Sequence, residues 1–246
     1  MIDMHCHIVP YTDDGAKDLD TSIAMGKAAQ EAGYKAVIAT SHYIIHDIEN
    51  DYDEFRENIK KLNEVYEQNN IDIKVYNGNE IFFTNNITGL LKEKKVSSLA
   101  DGKYVLFEFP LFNQIVPMNA YDEINELQNA GYIPILAHPE RYVFVQKDVN
   151  SLIPLIEAGV LLQSNVASAY GKYGKKAQKT LKNMLKRGFV HFLATDSHNT
   201  HTYEKIDLAM KKIRKWNKDE ERLNVILSNS EKVINNEKID IWYPTK

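Results

Sequence analysis

The stretch Gly131-Tyr132-Ile133-Pro134-Ile135-Leu136-Ala137-His138-Pro139-Glu140-Arg141-Tyr142 holds one complete step of the architecture. A glycine ends a helix-like segment, an unbroken apolar run follows, and the run stops at a histidine with an arginine three residues on. Glycine at the first point supplies the left-handed residue that turns a helix back into a strand. An apolar run without alternation marks a strand buried on both faces, as in a parallel sheet covered by helices. Pro134 speaks against a central strand, although a strand start or a bulge tolerates it.

The same arrangement repeats in both directions from there. Strands are expected over Ile2–His5, Lys35–Thr40, Ile73–Gly78, Tyr104–Phe109, Tyr132–Ala137, Val160–Ser164 and Val190–Thr195, and four of them follow Gly33, Gly131, Gly159 and Gly188. Their spacing of roughly 30 residues is that of a βα unit. Helices are expected over Ser22–Ala32 with Asp20 or Thr21 as cap, Asp51–Gln68 with Phe55, Ile59, Leu62 and Tyr66 on one stripe, Lys175–Lys186 and Tyr203–Trp216. A last helix runs from Asp219 toward Asn236. Such alternation predicts a (β/α) barrel, in which the C-terminal ends of all strands open onto one face.

A chain of 246 residues suits one barrel, although ~150 residues per domain would suggest more. With 43% hydrophobic and 26% charged residues it can bury a full core. Net charge is −4 and pI about 6.1, so no basic field favours nucleic acid or anionic lipid. The single cysteine, Cys6, excludes a disulfide framework and suits a reducing cytoplasm. No signal-like N-terminus and no apolar run of ~18 residues is present, so no membrane insertion is expected.

The expected strands end in residues that can hold a metal: His5 and His7, His42, Glu80, Glu108, His138, Asn165, and Asp196 with His198. Five of the eight histidines are among them. Residues i and i+2 of a strand point the same way, so His5 and His7 can reach one ion. In Asp13-Asp14-Gly15 one aspartate can turn back toward the same mouth, and the other reads as a solvated turn or cap. Glu108 lies inside Leu106-Phe107-Glu108-Phe109-Pro110, where a carboxylate costs several kcal/mol unless a cation meets it. Only five arginines exist, of which Arg187 and Arg214 read as surface helix residues, so a metal is the better partner. A lone histidine after a strand is more often a core hydrogen-bonder than a ligand; the argument lies in the recurrence. Imidazole and carboxylate without thiolate suit Mn2+ or Fe2+ and permit Zn2+. Cys6 points away from its two flanking histidines. The arginine that a thiolate phosphatase loop needs is missing, since Thr12 stands in its place.

Together, Asp3-x-His5-x-His7, Asp13-Asp14-Gly15-Ala16, Ala39-Thr40-x-His42, Gly78-x-Glu80, Glu108-Phe109-Pro110, Ala137-His138-Pro139-Glu140-Arg141-Tyr142 and Thr195-Asp196-x-His198-Asn199 resemble the PHP (polymerase and histidinol phosphatase) superfamily. Within it they are most similar to the capsule-type bacterial manganese-dependent protein-tyrosine phosphatases, over about Met1 to Asn199. The resemblance implies a distorted (β/α)7 TIM-like barrel and a single metal-dependent phosphatase domain over residues 1–246, with a helical tail from about 217. It also implies three divalent ions, Mn2+ first among them. His5, His7, Glu80 and Asp196 would hold one ion, Glu80 with Glu108 and His138 the second, and Asp14, His42 and His198 the third. Arg141 would bind the phosphate.

The implied activity is hydrolysis of phosphotyrosine, on a bacterial tyrosine kinase that controls capsule or exopolysaccharide synthesis. The alternatives are a small-molecule phosphomonoesterase of the histidinol-phosphate type and a non-catalytic kinase-binding regulator. Two positions depart from the family pattern. Ser41-His42-Tyr43 stands for Pro-His-His, with the ligand kept, and His201-Thr202-Tyr203 lacks the usual second arginine. His201 or Tyr203 is a candidate to assist the departing phenolate, whose pKa near ~10 asks little of an acid.

Overall fold

Parallel strands alternate with helices throughout the computed structural model, which describes residues 1–239; residues 240–246 of the expected domain lie outside the described residues. In chain order the strands are β1 (Ile2–Cys6), β2 (Ala36–Ala39), β3 (His42–Tyr43), β4 (Lys74–Asn77), β5 (Glu80–Phe82), β6 (Tyr104–Glu108), β7 (Ile133–Ala137), β8 (Leu161–Asn165) and β9 (Phe192–Ala194). They form two parallel sheets, ordered β1-β2-β4 and β3-β5-β6-β7-β8-β9. β3 continues the line of β2, and β5 that of β4, so the nine segments occupy seven barrel positions. Asp196 N–H donates to His5 O at 2.9 Å and His7 N–H to Ser197 O at 3.0 Å, which closes β9 onto β1. The fold is the distorted seven-position barrel.

The distortion has a local cause that a run of apolar letters does not reveal. Asn79 donates from Nδ2 to Ser41 O (3.1 Å) and accepts the Ser97 amide on Oδ1 (2.8 Å), interrupting the ladder between β4 and β5. Gly78 suits the close packing there, because a Cβ would sit 2.8 Å from Leu99 Cδ2 and 3.0 Å from Ile38 Cγ2 and would force them to shift. Among the described residues β4 pairs with β2 alone upstream of the break, and β6 pairs with β5 and β7, so no ladder joins β4 to β6 at that corner. Leu99, Val233 and Ile239 join Met4, Ile38 and Phe192 in the barrel interior. Val233 and Ile239 therefore help to floor the barrel, and each such apolar side chain contributes ~1.5–3 kcal/mol.

The helices are α1 (Leu19–Glu31), α2 (Tyr52–Gln68), α3 (Ile87–Lys92), α4 (Ala120–Asn129), α5 (Val143–Lys147), α6 (Ile153–Glu157), α7 (Gly174–Arg187), α8 (His201–Glu204), α9 (Ile206–Asn217) and α10 (Glu220–Ile234). α2 buries Phe55, Ile59, Leu62 and Tyr66, the expected stripe. α1 begins earlier than expected, because Asp18 and not Asp20 or Thr21 is the cap, accepting from Thr21 N–H at 2.8 Å. The helix expected over Tyr203–Trp216 is broken into α8 and α9. The break lies beside Tyr203, whose hydroxyl is drawn into the core to Asp3 Oδ2 at 2.7 Å. Gly33, Gly131, Gly159 and Gly188 all have φ between 79° and 89°, the left-handed turn inferred for them. Pro134 sits near the start of β7, before pairing with β8 begins at Ile135, and is tolerated there.

Candidate metal centre

His5 and His7 leave β1 toward the same cup, and each imidazole is oriented by a fixed acceptor. His5 Nδ1 meets Gln163 Oε1 on β8 at 2.8 Å, and His7 Nδ1 meets Asp13 Oδ2 at 2.7 Å. A carbonyl or carboxylate oxygen there places the proton on Nδ1 and leaves the Nε2 lone pair facing the cup. Those Nε2 atoms lie 3.2 and 3.4 Å from Glu80 Oε2, and 3.4 and 3.3 Å from Asp196 Oδ1. Asp13 is therefore an orienting carboxylate, which also accepts the His42 and Gly15 amides. It is not the solvated turn that the sequence allowed for one aspartate of the pair.

The remaining candidates arrive from the other strand ends. His42 Nδ1 lies 3.1 Å from Glu80 Oε2 and 3.3 Å from Glu108 Oε1. His138 Nε2 lies 2.8 Å from Glu80 Oε1 and 3.5 Å from Glu108 Oε2. Asp14 Oδ1 reaches His198 Nε2 at 3.2 Å and His42 Nε2 at 3.6 Å. All nine proposed ligand side chains meet in one cluster. Three groups have ligand atoms within 4.8 Å of one another: His5, His7, Glu80 and Asp196; His7, Asp14, His42 and His198; and His42, Glu80 and Glu108. Two members, His138 (φ 35°) and Asp196 (φ 49°), hold left-handed backbone that non-glycine residues rarely adopt. Such strain gathers where function requires a precise side-chain position.

The electrostatics call for cations. Burial alone would lower His5, yet Glu80 and Asp196 outweigh it and raise its pKa to about 9. Burial would likewise raise Glu80, but His5, His42 and His138 hold it well below the usual carboxylate range. Among the described residues Glu80 Oε2 and His42 Nδ1 are buried without a hydrogen-bond partner. An oxygen ringed by imidazole nitrogens with no donor of its own suits a divalent ion, so the donor set fits the metals it was expected to hold.

A cavity of about 790 Å³ opens over the cluster, walled by Phe82, Phe112, Arg141, Lys172, Tyr173 and Asn199 among others. Arg141 Nη1 donates to Asp196 Oδ2 at 3.0 Å, and its guanidinium lies 4.4 Å from the Tyr173 ring centroid. Glu140, its neighbour in sequence, is buried and accepts instead from Asn165 N–H (3.0 Å) and Ser168 Oγ (2.7 Å). The family model for capsular polysaccharide synthesis, CpsB/CapC, matches residues 1–235.

This chain belongs to the CpsB/CapC family.

The tyrosine-protein phosphatase YwqE of Bacillus subtilis is 36% identical over 202 residues, covering 82% of this chain and 79% of that protein. A solved structure from the pair YwqE of Bacillus subtilis and CpsB of Streptococcus pneumoniae, described as unique metal-dependent tyrosine phosphatases, matches with a TM-score of 0.92. It is 33% identical and covers 99% of this chain and 98% of its own. The histidinol phosphate phosphatase of Lactococcus lactis shares the fold, with a TM-score of 0.55 at 15% identity over 86% of this chain and 93% of its own.

Several site residues escaped the sequence reading. Gln163 sits inside an apolar strand and Asp13 beside a better-placed neighbour, so neither was legible as an orienter of a CpsB/CapC histidine. Lys172 and Tyr173 reach the cavity from the loop before α7, where Gly171-Lys172-Tyr173-Gly174-Lys175-Lys176 reads as an ordinary basic helix start. The two candidates for a proton donor are not in the cavity wall. Tyr203 is buried against Asp3 and Cys6 Sγ (3.2 Å), and His201 is exposed beside Glu204 (3.5 Å). Cys6 is fully buried and faces Tyr203, away from the cluster.

Proposed function

We infer that this chain is a metal-dependent protein-tyrosine phosphatase acting on phosphotyrosine in a bacterial tyrosine kinase that serves capsule or exopolysaccharide synthesis. The observation that carries the reading is the convergence of eight imidazole and carboxylate side chains in three overlapping groups, with His138 joined to them through Glu80 and Glu108, beneath a cavity that also holds Arg141. One CpsB/CapC domain spans the chain in this reading, acting in the cytoplasm, where a buried unpaired Cys6 is at home.

His5, His7, Glu80 and Asp196 would hold one ion, Glu80, Glu108 and His138 a second, and Asp14, His42 and His198 a third, with Mn2+ the favoured metal. When bound, divalent ions supply Lewis acidity toward phosphoryl oxygens and lower the pKa of water. The chain's own residues do the rest. Gln163 and Asp13 fix the tautomers of His5 and His7, so that both present lone pairs to the cup. Arg141 keeps all but one of its five N–H donors unengaged by other described side chains and lies over the Tyr173 ring, ready to take phosphoryl oxygens. Lys172 adds a second cation to the same cavity. Phenolate needs little protonation to leave, which agrees with the absence of Tyr203 and His201 from the cavity wall.

The cavity wall favours a polypeptide over a small phosphomonoester. Phe112 stands 84% exposed in it, whereas a small-molecule enzyme closes its loops over the substrate. The test is phosphate release from phosphotyrosyl peptide, phosphoseryl peptide and histidinol phosphate, each with Mn2+ and with chelator. Phosphotyrosine with Mn2+ should be turned over at least tenfold faster than the other two, on the order of 1.4 kcal/mol of discrimination. Preference for histidinol phosphate, or equal release in chelator, sinks the reading.

A further inference from the structure

The loop from Phe109 to Asn119 carries no charged residue, in a chain of which 26% is charged. It connects β6 to α4 and is a built element. Leu111 and Val116 turn inward and pack on the core, while Phe112, Ile115 and Met118 point out, 84%, 74% and 92% exposed. Pro110 and Pro117 bracket it and restrict its backbone. Asn113 N–H donates to Pro110 O (3.1 Å), Ala120 N–H to Pro117 O (3.0 Å) and Val143 N–H to Leu111 O (3.2 Å), and Lys147 Nζ bonds Gln114 Oε1. A loop pinned inward at two apolar points, with three large apolar side chains held in water, has a binding surface as its physical rationale.

We propose that this loop is a docking shelf for the phosphotyrosyl polypeptide, taking apolar side chains that flank the phosphotyrosine. The inference rests on the phosphatase reading above and deepens it. Continuity names the occupant: Pro110, Leu111 and Phe112 wall the same cavity as Arg141, so Phe112 offers a chain whose phosphoryl group reaches Arg141 an apolar path out of the cavity. Ile115 and Met118 lie farther along the shelf and outside the cavity wall. Size argues against a second copy of this chain, because a stable interface uses about 20–30 residues a side and this shelf offers three anchors. The lack of charge selects neutral, apolar flanks over acidic or basic ones.

The experiment compares kcat/KM of the Mn2+-loaded protein and its Ile115→Ser/Met118→Ser variant on three substrates: free phosphotyrosine, a phosphotyrosyl peptide with Leu and Phe flanks, and the same peptide with Ser and Gly flanks. The wild type should favour the apolar-flanked peptide over the Ser/Gly peptide by roughly tenfold, the scale of one or two apolar contacts. The variant should lose that preference and keep its rate on free phosphotyrosine within about twofold, since neither side chain walls the cavity. A preserved preference in the variant overturns the shelf. So does an equal loss on all three substrates accompanied by a change in solution mass, which would make the loop a self-association surface, or vesicle binding that the variant abolishes while the peptide preference stays. A wild type inactive on all three substrates instead brings down the phosphatase reading itself.

Discussion

Arg141 is fastened to Asp196: its Nη1 donates to Oδ2 at 3.0 Å, and the same oxygen takes Asn165 Nδ2–H at 2.6 Å. The other Asp196 oxygen stays turned toward His5 and His7. One carboxylate thus joins the guanidinium of the cavity to the metal cluster, and sequence adjacency to Glu140 has no part in it.

Replacement of Arg141 by Ala should lower kcat/KM for a phosphotyrosyl peptide roughly 100-fold, ~3 kcal/mol, the scale of one oriented donor to developing charge. Metal content should hold, because Asn165 still engages Asp196 Oδ2. Arg141→Lys should recover only part of the loss, since a point charge cannot make a bidentate contact. Steady-state kinetics with elemental analysis checks both, and normal turnover by Arg141→Ala would remove it from the phosphate site.

Glu80 is the hub of the cluster, within 3.4 Å of His5, His7, His42 and His138. The protein should carry two to three divalent ions per chain, on the order of what its overlapping ligand groups can serve. Chelation should abolish turnover. Glu80→Gln should lose at least one ion and more than about 100-fold in kcat, because the removed charge faces several imidazoles at once. Elemental analysis of the purified protein and the variant is decisive. A metal-free preparation that is fully active in chelator would falsify the whole scheme.

Cys6→Ser should keep most turnover. The thiol is fully buried, accepts the Tyr203 hydroxyl at 3.2 Å and is pushed well above the usual thiol range by burial, with Asp3 adding to it. A buried, protonated thiol is inert. A loss beyond about 1,000-fold in kcat with fold and metal content intact would make it a nucleophile after all.

The barrel was legible because its strands are buried on both faces and its helix ends need left-handed glycine, as at Gly131 and Gly188. Eight of the nine ligand candidates were legible because they stand at or just past strand ends, where the fold collects side chains, and Asp14 because its loop turns back to the same mouth. What stayed hidden acts through a single tertiary contact. Asn79, which splits a strand position in two, reads as any loop asparagine until Ser41 and Ser97 are beside it. Asp13 differs from Asp14 only in which way the loop turns. Val233 and Ile239 help to floor the barrel, and no local pattern announces that no ladder joins β4 to β6.

His191 offers a test of acid stability away from the metal cluster. It is buried at the start of the last strand position, and its Nδ1 accepts the Leu162 amide at 3.0 Å, which requires the neutral ring. Burial, with the nearby Arg222 charge, lowers its pKa from 6.5 to about 4. Above pH 6.5 folded and unfolded chains are both neutral at this ring, and its contribution is fully present. As pH falls from about 6.5 toward 4, the unfolded chain takes up a proton that the folded one refuses, so stability declines by up to ~1.4 kcal/mol per pH unit. Over the window this amounts to ~3 kcal/mol. His191→Gln retains an acceptor for the Leu162 amide without a group that titrates there, so it should be somewhat less stable at pH 8 and lose less on going to pH 5. Urea unfolding of both proteins at the two pH values checks the difference of slopes. Parallel losses for wild type and variant would show that His191 is not buried neutral.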